Sequence, residues 1–408
     1  MRHPGRAIAA GLLGAILAAG TAVSLVRINA TPPPPSLQLT AARSYTPIPG
    51  PPVPVHQPPQ GSLALQGDGR DIALLDADTA HPIASVAKVM TALETLRAHP
   101  LKDEFDEGAV LTMTDVDVAD YKETVRNDGS SLPVVTGEKL TERQLLLGLL
   151  LPSANNFADT LGRWVSGSVD AFVARLNAAA QQMGMAHTHF ADPHGFSSDT
   201  VSSASDLVLL GKAVLANAPL SALVATRQAK LPDGTQLDNL DSLLGTVPGW
   251  LGIKTGSTPL AGGCLLFAAR RDVGGATVTM IGAVLHQTDL AAALDAARTA
   301  VESGFQGYSV VAADASPPAV TGHVSTRWGA TSTLHVATGA RGAVALRMGS
   351  VVQLTTVTRP VPPGAAAGAT VGTVAGSVDG VERFRWSVVL DSAVSPPDWT
   401  WMLLHNNS

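Results

Sequence analysis

Residues Ala7 to Val26 carry no charged side chain and are mostly apolar, and a proline-dense stretch follows them at once. The apolar run is long for the core of a cleaved export signal and sufficient to cross a bilayer. Residues 1–30 therefore read as a signal peptide or an N-terminal membrane anchor. Gly20-Thr21-Ala22 and Ile28-Asn29-Ala30 are poor cleavage sites, which favours the anchor. Residues 31–60 hold 11 of the 28 prolines, with Pro32 to Pro35 in a row. Such a stretch reads as a semi-rigid extended linker, able to span about 90 Å at roughly 3.1 Å per residue.

Periodicity returns after residue 61. From Ser85 to His99 the apolar positions Val86, Val89, Met90, Leu93 and Leu96 fall on one face, predicting a helix with Ser85 at its N-terminus. Leu140 to Leu151 is almost continuously apolar and predicts a buried helix stopped by Pro152. Trp250–Thr255, Gly263–Ala269 and Thr277–Leu285 predict strands, the last two joined as a hairpin through Arg270–Gly275, and Asp289–Ser303 predicts a helix. Helices interleaved with antiparallel strands predict an α+β domain over residues 61–305. Beyond it, Ser350–Arg359, Ala369–Ser377 and Val381–Leu390 are short strand patterns, with Asp379-Gly380 as a hairpin turn. Residues 306–408 thus predict a smaller all-β domain.

Composition narrows the partners. The 408 residues carry a formal net charge of −6. Without Arg2, Arg6 and Arg27, the only charged residues among the first thirty, that becomes −6 − 3 = −9. Nucleic acid and anionic lipid are therefore excluded as main partners. Cys264 is the only cysteine, so no intrachain disulfide forms, and it reads as a small apolar strand residue.

Three short motifs carry the candidate chemistry: Ser85-Val86-Ala87-Lys88, Ser153-Ala154-Asn155 and Lys254-Thr255-Gly256. Two of the chain's seven lysines fall in them. A serine hydroxyl is a weak nucleophile near neutral pH and needs a neighbouring base. Lys88, three residues on, shares the helix face of Ser85. It acts as base only if its amine is partly neutral, which burial and a second cation such as Lys254 both promote. The helix N-terminus favours negative charge at the reacting centre.

The residues around the motifs extend the pattern. They include His81-Pro82-Ile83-Ala84 before Ser85, Leu150-Leu151-Pro152 before Ser153, Asp192-Pro193-His194-Gly195, and Gly252-Ile253 before Lys254. Together they resemble the serine-type D-Ala-D-Ala carboxypeptidases, the low-molecular-mass penicillin-binding proteins. The resemblance is dense over 61–305 and implies a penicillin-binding-protein/β-lactamase-like catalytic domain. It also implies roles. Ser85 is the nucleophile and Lys88 its base, Ser153 bridges Lys88 and Lys254, and Asn155 holds a substrate amide carbonyl. The N–H groups of Ser85 and Ser257 form the oxyanion hole. Lys254, Thr255 and Thr258 receive a terminal carboxylate beside Gly256. The implied substrate is a peptidoglycan stem peptide ending in D-Ala-D-Ala, with β-lactams as inhibitors, in an exported enzyme of the cell envelope. The final residues are too short for the C-terminal amphipathic anchor of some relatives.

Alternatives stay open. They are an endopeptidase, transpeptidase or β-lactamase on the same scaffold, or a catalytically weak wall-binding protein. No glutamate occurs from Arg143 to Val301, which disfavours the deacylating glutamate of class A β-lactamases. No cofactor is called for. His187, His189, Asp192 and His194 are close in sequence, but no second cluster completes a zinc site, and no metal is expected. There are three departures from the family pattern. Ser257 stands where some relatives carry histidine, Asp192 replaces an asparagine, and the segment after Leu285 (His286-Gln287-Thr288-Asp289) lacks a carboxylate-binding arginine. The next arginine is Arg298.

Overall fold

A computed structural model describes residues 5–312, 318–337 and 343–405. The chain divides into two compact units, one formed by Pro51–Val310 and the other by Met1–Gly50 with Val311–Ser408. Helices are labelled in chain order: α1 Gly5–Asn29, α2 Lys88–Ala98, α3 Asp115–Arg126, α4 Glu142–Leu150, α5 Asn155–Ser166, α6 Val169–Gln182, α7 Ala204–Ala216, α8 Ala218–Val224, α9 Leu290–Gln306 and α10 Trp399–His405. The strands of the two larger sheets are β1 Ser36–Ala41, β2 Ser44–Tyr45, β3 Ser62–Gly67, β4 Arg70–Leu75, β5 Trp250–Thr258, β6 Gly262–Val273 and β7 Ala276–Gln287. They continue with β8 Val320–Ser325, β9 Thr331–Val336, β10 Val352–Thr358, β11 Thr370–Val378 and β12 Val381–Leu390.

The Pro51–Val310 unit is built on a five-stranded antiparallel sheet of order β5-β6-β7-β3-β4. Strands β3, β5 and β6 are buried over most of their length, the edge strand β4 is largely open, and helices cover both faces. A Cβ added at Gly211 of α7 would meet Ile281 at 2.6 Å, and one at Gly304 of α9 would meet Met280 at 2.9 Å. Met280 and Ile281 are successive residues of β7 and point to opposite faces, so α7 and α9 flank the sheet. The main core lies between sheet and helices, where Phe157, Phe172, Phe190 and Leu145 are fully buried. The α4 helix opens with a capping box, in which Thr141 Oγ1 accepts from Gln144 N and the Gln144 side chain accepts from Thr141 N. Every residue from Leu145 to Leu150 is buried.

The other unit centres on a seven-stranded sheet of order β1-β8-β9-β12-β11-β10-β2. Its core includes Val324, Val352, Val374, Trp386 and Val388.

The structure corrects the expectation of a free linker over 31–60. Leu37 in β1 pairs with Val324 in β8, and Tyr45 in β2 pairs with Val352 in β10. Between Pro35 and Pro47 there is no proline, and Ser36-Leu37-Gln38-Leu39-Thr40-Ala41 alternates apolar and polar residues. That period suits a half-buried strand, and Leu37 and Leu39 pack on the core of this unit. The N-terminal strands occupy both edges of its sheet, where backbone N–H and C=O groups would otherwise be unpaired. The α1 helix contains a 19-residue stretch, Gly11–Asn29, that is long and apolar enough to cross a membrane.

Candidate active site

Ser85 sits in a single turn of 3₁₀ helix, Ala84–Ala87, that runs directly into α2. The expected helix therefore begins with a tighter turn. Ala84 enters it with φ of 48°, in the left-handed region that costs a non-glycine residue energy. Two contacts hold the turn. Ile83 N donates to Thr200 O at 3.2 Å, and Gly195 packs against Ala84. Gly195 has φ of 77°, and a Cβ there would lie 1.7 Å from Ala84 O. Gly195→Ala is therefore expected to displace the turn and slow acylation of Ser85 by about 100-fold, a cost typical of a 1 Å misplacement. Stopped-flow acylation with a chromogenic β-lactam measures it, and a wild-type rate would show that the contact is not needed.

Lys88 is fully buried, and its Nζ donates to Ser85 Oγ at 2.7 Å and to His194 O at 2.9 Å. One turn further along α2, Thr91 Oγ1 donates to Pro193 O at 2.5 Å, so the 192–195 loop is pinned to the helix that bears the lysine. Burial drives the Lys88 pKa well below the usual lysine range, and the nearby charge of Lys254 pushes the same way. Asp192 and Asp159 oppose the shift without cancelling it.

The edge strand β5 brings in the third motif. A Cβ at Gly256 would lie 2.8 Å from Ile83 O and 3.0 Å from Ser85 N, so only glycine lets this strand approach the Ser85 turn so closely. Lys254 is buried, and its Nζ donates to Thr255 O at 3.1 Å and Thr255 Oγ1 at 3.4 Å. Burial lowers its pKa to about 7, with Asp241 acting in the opposite direction. The carboxylate of Asp241 accepts from Trp250 Nε1 at 2.8 Å and from Leu243 N at 3.1 Å. Ser257 is exposed, and Thr258 Oγ1 accepts from Ala261 N at 3.1 Å.

Between α4 and α5 the chain turns through Ser153 with φ of 71°. Asn155 begins α5, its N–H donating to Ser130 O at 2.8 Å. The expected bridge is not made: the buried Ser153 hydroxyl has no hydrogen-bond partner, and neither lysine reaches it.

The four-residue His/Asp group does not converge on a metal position, and the described residues hold no group able to bind one. His187 N donates to Asp206, His189 pairs through its backbone with Val201, and Asp192 organises its own loop. The Asp192 carboxylate accepts from Gly195 N and Ser197 N, both at 2.6 Å, and from Thr200 Oγ1 at 2.9 Å. The acid that replaces asparagine uses both oxygens as acceptors here. Burial lowers the His194 pKa to about 4, so its ring is neutral at neutral pH. Arg298, the first arginine after Leu285, is paired with Asp295 at 2.5 Å.

Two residues that sequence reading passed over belong to the surroundings. Asp241 acts electrostatically on Lys254. Asp159 lies four residues after Asn155 on α5, hence on the same helix face, and burial raises its pKa to about 7. That i, i+4 spacing was the available signal.

A family model for D-alanyl-D-alanine carboxypeptidase matches residues 66–287. The chain is 37% identical over 209 residues to the D-alanyl-D-alanine carboxypeptidase DacB2 of Mycobacterium tuberculosis, covering 50% of this chain and 67% of the relative. It is 32% identical over 262 residues to the D-alanyl-D-alanine carboxypeptidase of Streptomyces sp. strain K15, covering 60% and 86%. The crystal structure of the Streptomyces K15 DD-transpeptidase superposes with a TM-score of 0.55 at 30% identity, covering 62% of this chain and all of that one. The chain belongs to the serine D-alanyl-D-alanine carboxypeptidase family and has the penicillin-binding-protein fold.

Proposed function

We propose that the protein removes the terminal D-alanine from peptidoglycan stem peptides through an acyl-enzyme on Ser85. The observation that carries this reading is the 2.7 Å hydrogen bond between Ser85 Oγ and a fully buried Lys88 amine whose pKa is strongly lowered. A neutral amine at that distance takes the hydroxyl proton as Oγ attacks the carbonyl between the two D-alanines. The Ser85 N–H at the start of the helical turn, with the Ser257 N–H on the β5 edge, stabilises the oxyanion. Asn155 holds the amide carbonyl on the acyl side. Lys254, Thr255 and Thr258 bind the terminal carboxylate beside Gly256, and that anion favours the protonated form of Lys254. The free Ser153 hydroxyl then relays a proton to the departing amine, closing on the lysines only when substrate is bound. Water hydrolyses the ester and restores Ser85. With β-lactams the same attack opens the ring and leaves a blocked ester.

Incubation of the purified chain with a small peptide ending in D-Ala-D-Ala is expected to release one D-alanine per peptide. Transfer of the acyl group to an added amine in preference to water would instead assign transpeptidation, the activity named for the Streptomyces K15 structure.

The same reading includes exported placement. Residues 61–305 form the catalytic domain, residues 306–408 with the strands at 36–45 form the β-rich domain, and α1 anchors the chain with the enzyme outside the cytoplasmic membrane. Arg2 and Arg6 before the apolar run set that orientation. N-terminal sequencing of the protein isolated from its own cells is expected to begin at residue 1 or 2. A chain starting near Thr31 would show a removed signal peptide.

A further inference from the structure

One carboxylate in the loop between α6 and α7 takes no part in the chemistry above. Asp192 collects three donors: Gly195 N at 2.6 Å and Thr200 Oγ1 at 2.9 Å reach Oδ1, and Ser197 N at 2.6 Å reaches Oδ2. Thr200 Oγ1 accepts from Ala191 N at 3.0 Å and Asp192 N at 3.2 Å, so its own proton is left for the carboxylate. His194 Nδ1 lies 3.4 Å from Oδ2, but that nitrogen accepts from Phe196 N at 3.3 Å. Every hydrogen-bond partner of the carboxylate is thus a donor, which calls for the ionised acid. An asparagine here would turn an N–H group towards one of the same donors.

The two residues that follow Asp192 hold the base. Pro193 O accepts from Thr91 Oγ1 and His194 O from Lys88 Nζ, so the loop grips α2 at two points one turn apart. The Asp192 side chain is only 15% exposed, and water screens it little. Burial acts most strongly on Lys88, against its charged form. Among the charged groups, Lys254 of β5 also opposes the ammonium, while Asp192 and then Asp159 of α5 favour it. The His194 ring is neutral at neutral pH.

We propose that Asp192 is a positioning residue for the proton transfer at Ser85. Its carboxylate clamps the loop that holds Lys88 and stabilises the ammonium that Lys88 becomes while it carries the serine proton. The assignment rests on the acyl-enzyme reading. As Oγ bonds to the substrate carbonyl carbon, its proton passes to Lys88 Nζ and stays there until the departing amine takes it. A nearby anion favours that interval and makes the neutral lysine a stronger base. The corresponding disadvantage is that the neutral form is reached only at higher pH. Asp192 stands where the family pattern has a neutral asparagine, so this balance is set by a residue that the pattern does not supply.

The test is the pH profile of Ser85 acylation, read with a chromogenic β-lactam on the full chain. Asp192→Asn is expected to move the acid limb to lower pH, because without the anion Lys88 gives up its proton at lower pH. Its plateau should fall about tenfold, as the base weakens and one charge-assisted hydrogen bond is lost. Thr200→Val removes a donor from the carboxylate but keeps the charge, so its plateau should fall while its limb stays at the wild-type position. If Asp192→Asn does not fold, Asp192→Ser is read in its place, with the same movement of the limb expected. A limb unmoved or raised in the folded Asp192 variant overturns the proposal, as does a wild-type plateau. An equal shift of the limb in Thr200→Val also overturns it, since loop shape and not charge would then be the cause. Absence of any acylation of Ser85 in the wild-type chain overturns the acyl-enzyme reading beneath it, a distinct result.

Discussion

Replacing Ser85 with alanine is expected to lower D-alanine release by about 10⁴-fold or more, because the covalent step disappears and only binding and oxyanion stabilisation remain. The substitution removes one oxygen from a half-buried turn, so the fold should persist. Lys88 Nζ would keep its bond to His194 O and lose its Ser85 partner. Thermal unfolding close to that of wild type, with no detectable penicillin ester, is the expected pair of results. Substantial turnover by folded Ser85→Ala protein would transfer the nucleophile role elsewhere.

Lys88→Arg is expected to slow acylation by about 10²–10⁴-fold, the range for loss of a general base. A guanidinium stays protonated and cannot accept the Ser85 proton. In wild type the sign of the pH dependence follows from the lowered Lys88 pKa. Acylation needs the neutral amine, so the rate falls as pH drops through the Lys88 pKa of the folded enzyme. That acid limb should lie well below the pH at which an ordinary lysine loses its proton. Burial is the main cause, with Lys254 second. Lys254→Gln should therefore move the limb upward, since removing a like charge restores part of the ordinary lysine pKa. An acylation profile whose acid limb does not respond to either lysine would separate Lys88 from proton transfer. Wild-type acylation rates in Lys88→Arg protein would do the same.

The legibility of this chain is uneven for physical reasons. The catalytic unit was readable because its signals are local: the apolar face of Ser85–His99, the proline stop at 152 and the apolar strand runs after Trp250. The three motifs mark positions where backbone geometry admits few residues, and Gly256 shows why, since a side chain there would collide with the Ser85 turn. The strands at 36–45 were missed because proline density dominated a segment whose proline-free centre pairs with residues nearly 300 positions away. Long-range pairing leaves little trace in local composition. The start of the nucleophile helix as a 3₁₀ turn was likewise hidden, because it depends on Thr200 and Gly195 from distant loops. The spacing of Asp159 from Asn155 marks its place but not its charge, and Asp241 carries no local signal at all: burial raises the pKa of both acids, and burial is a property of the packed chain.

Acylation of Ser85 is the step on which the proposed chemistry rests. Its most direct measurement is mass spectrometry of proteolytic peptides after treating the intact wild-type chain with benzylpenicillin. The expected result is a single penicilloyl adduct on the peptide that contains Ser85 and Lys88, with fragment ions placing the mass on Ser85. An adduct on any other residue, Ser153 included, or stoichiometric inhibition without an adduct, would contradict it.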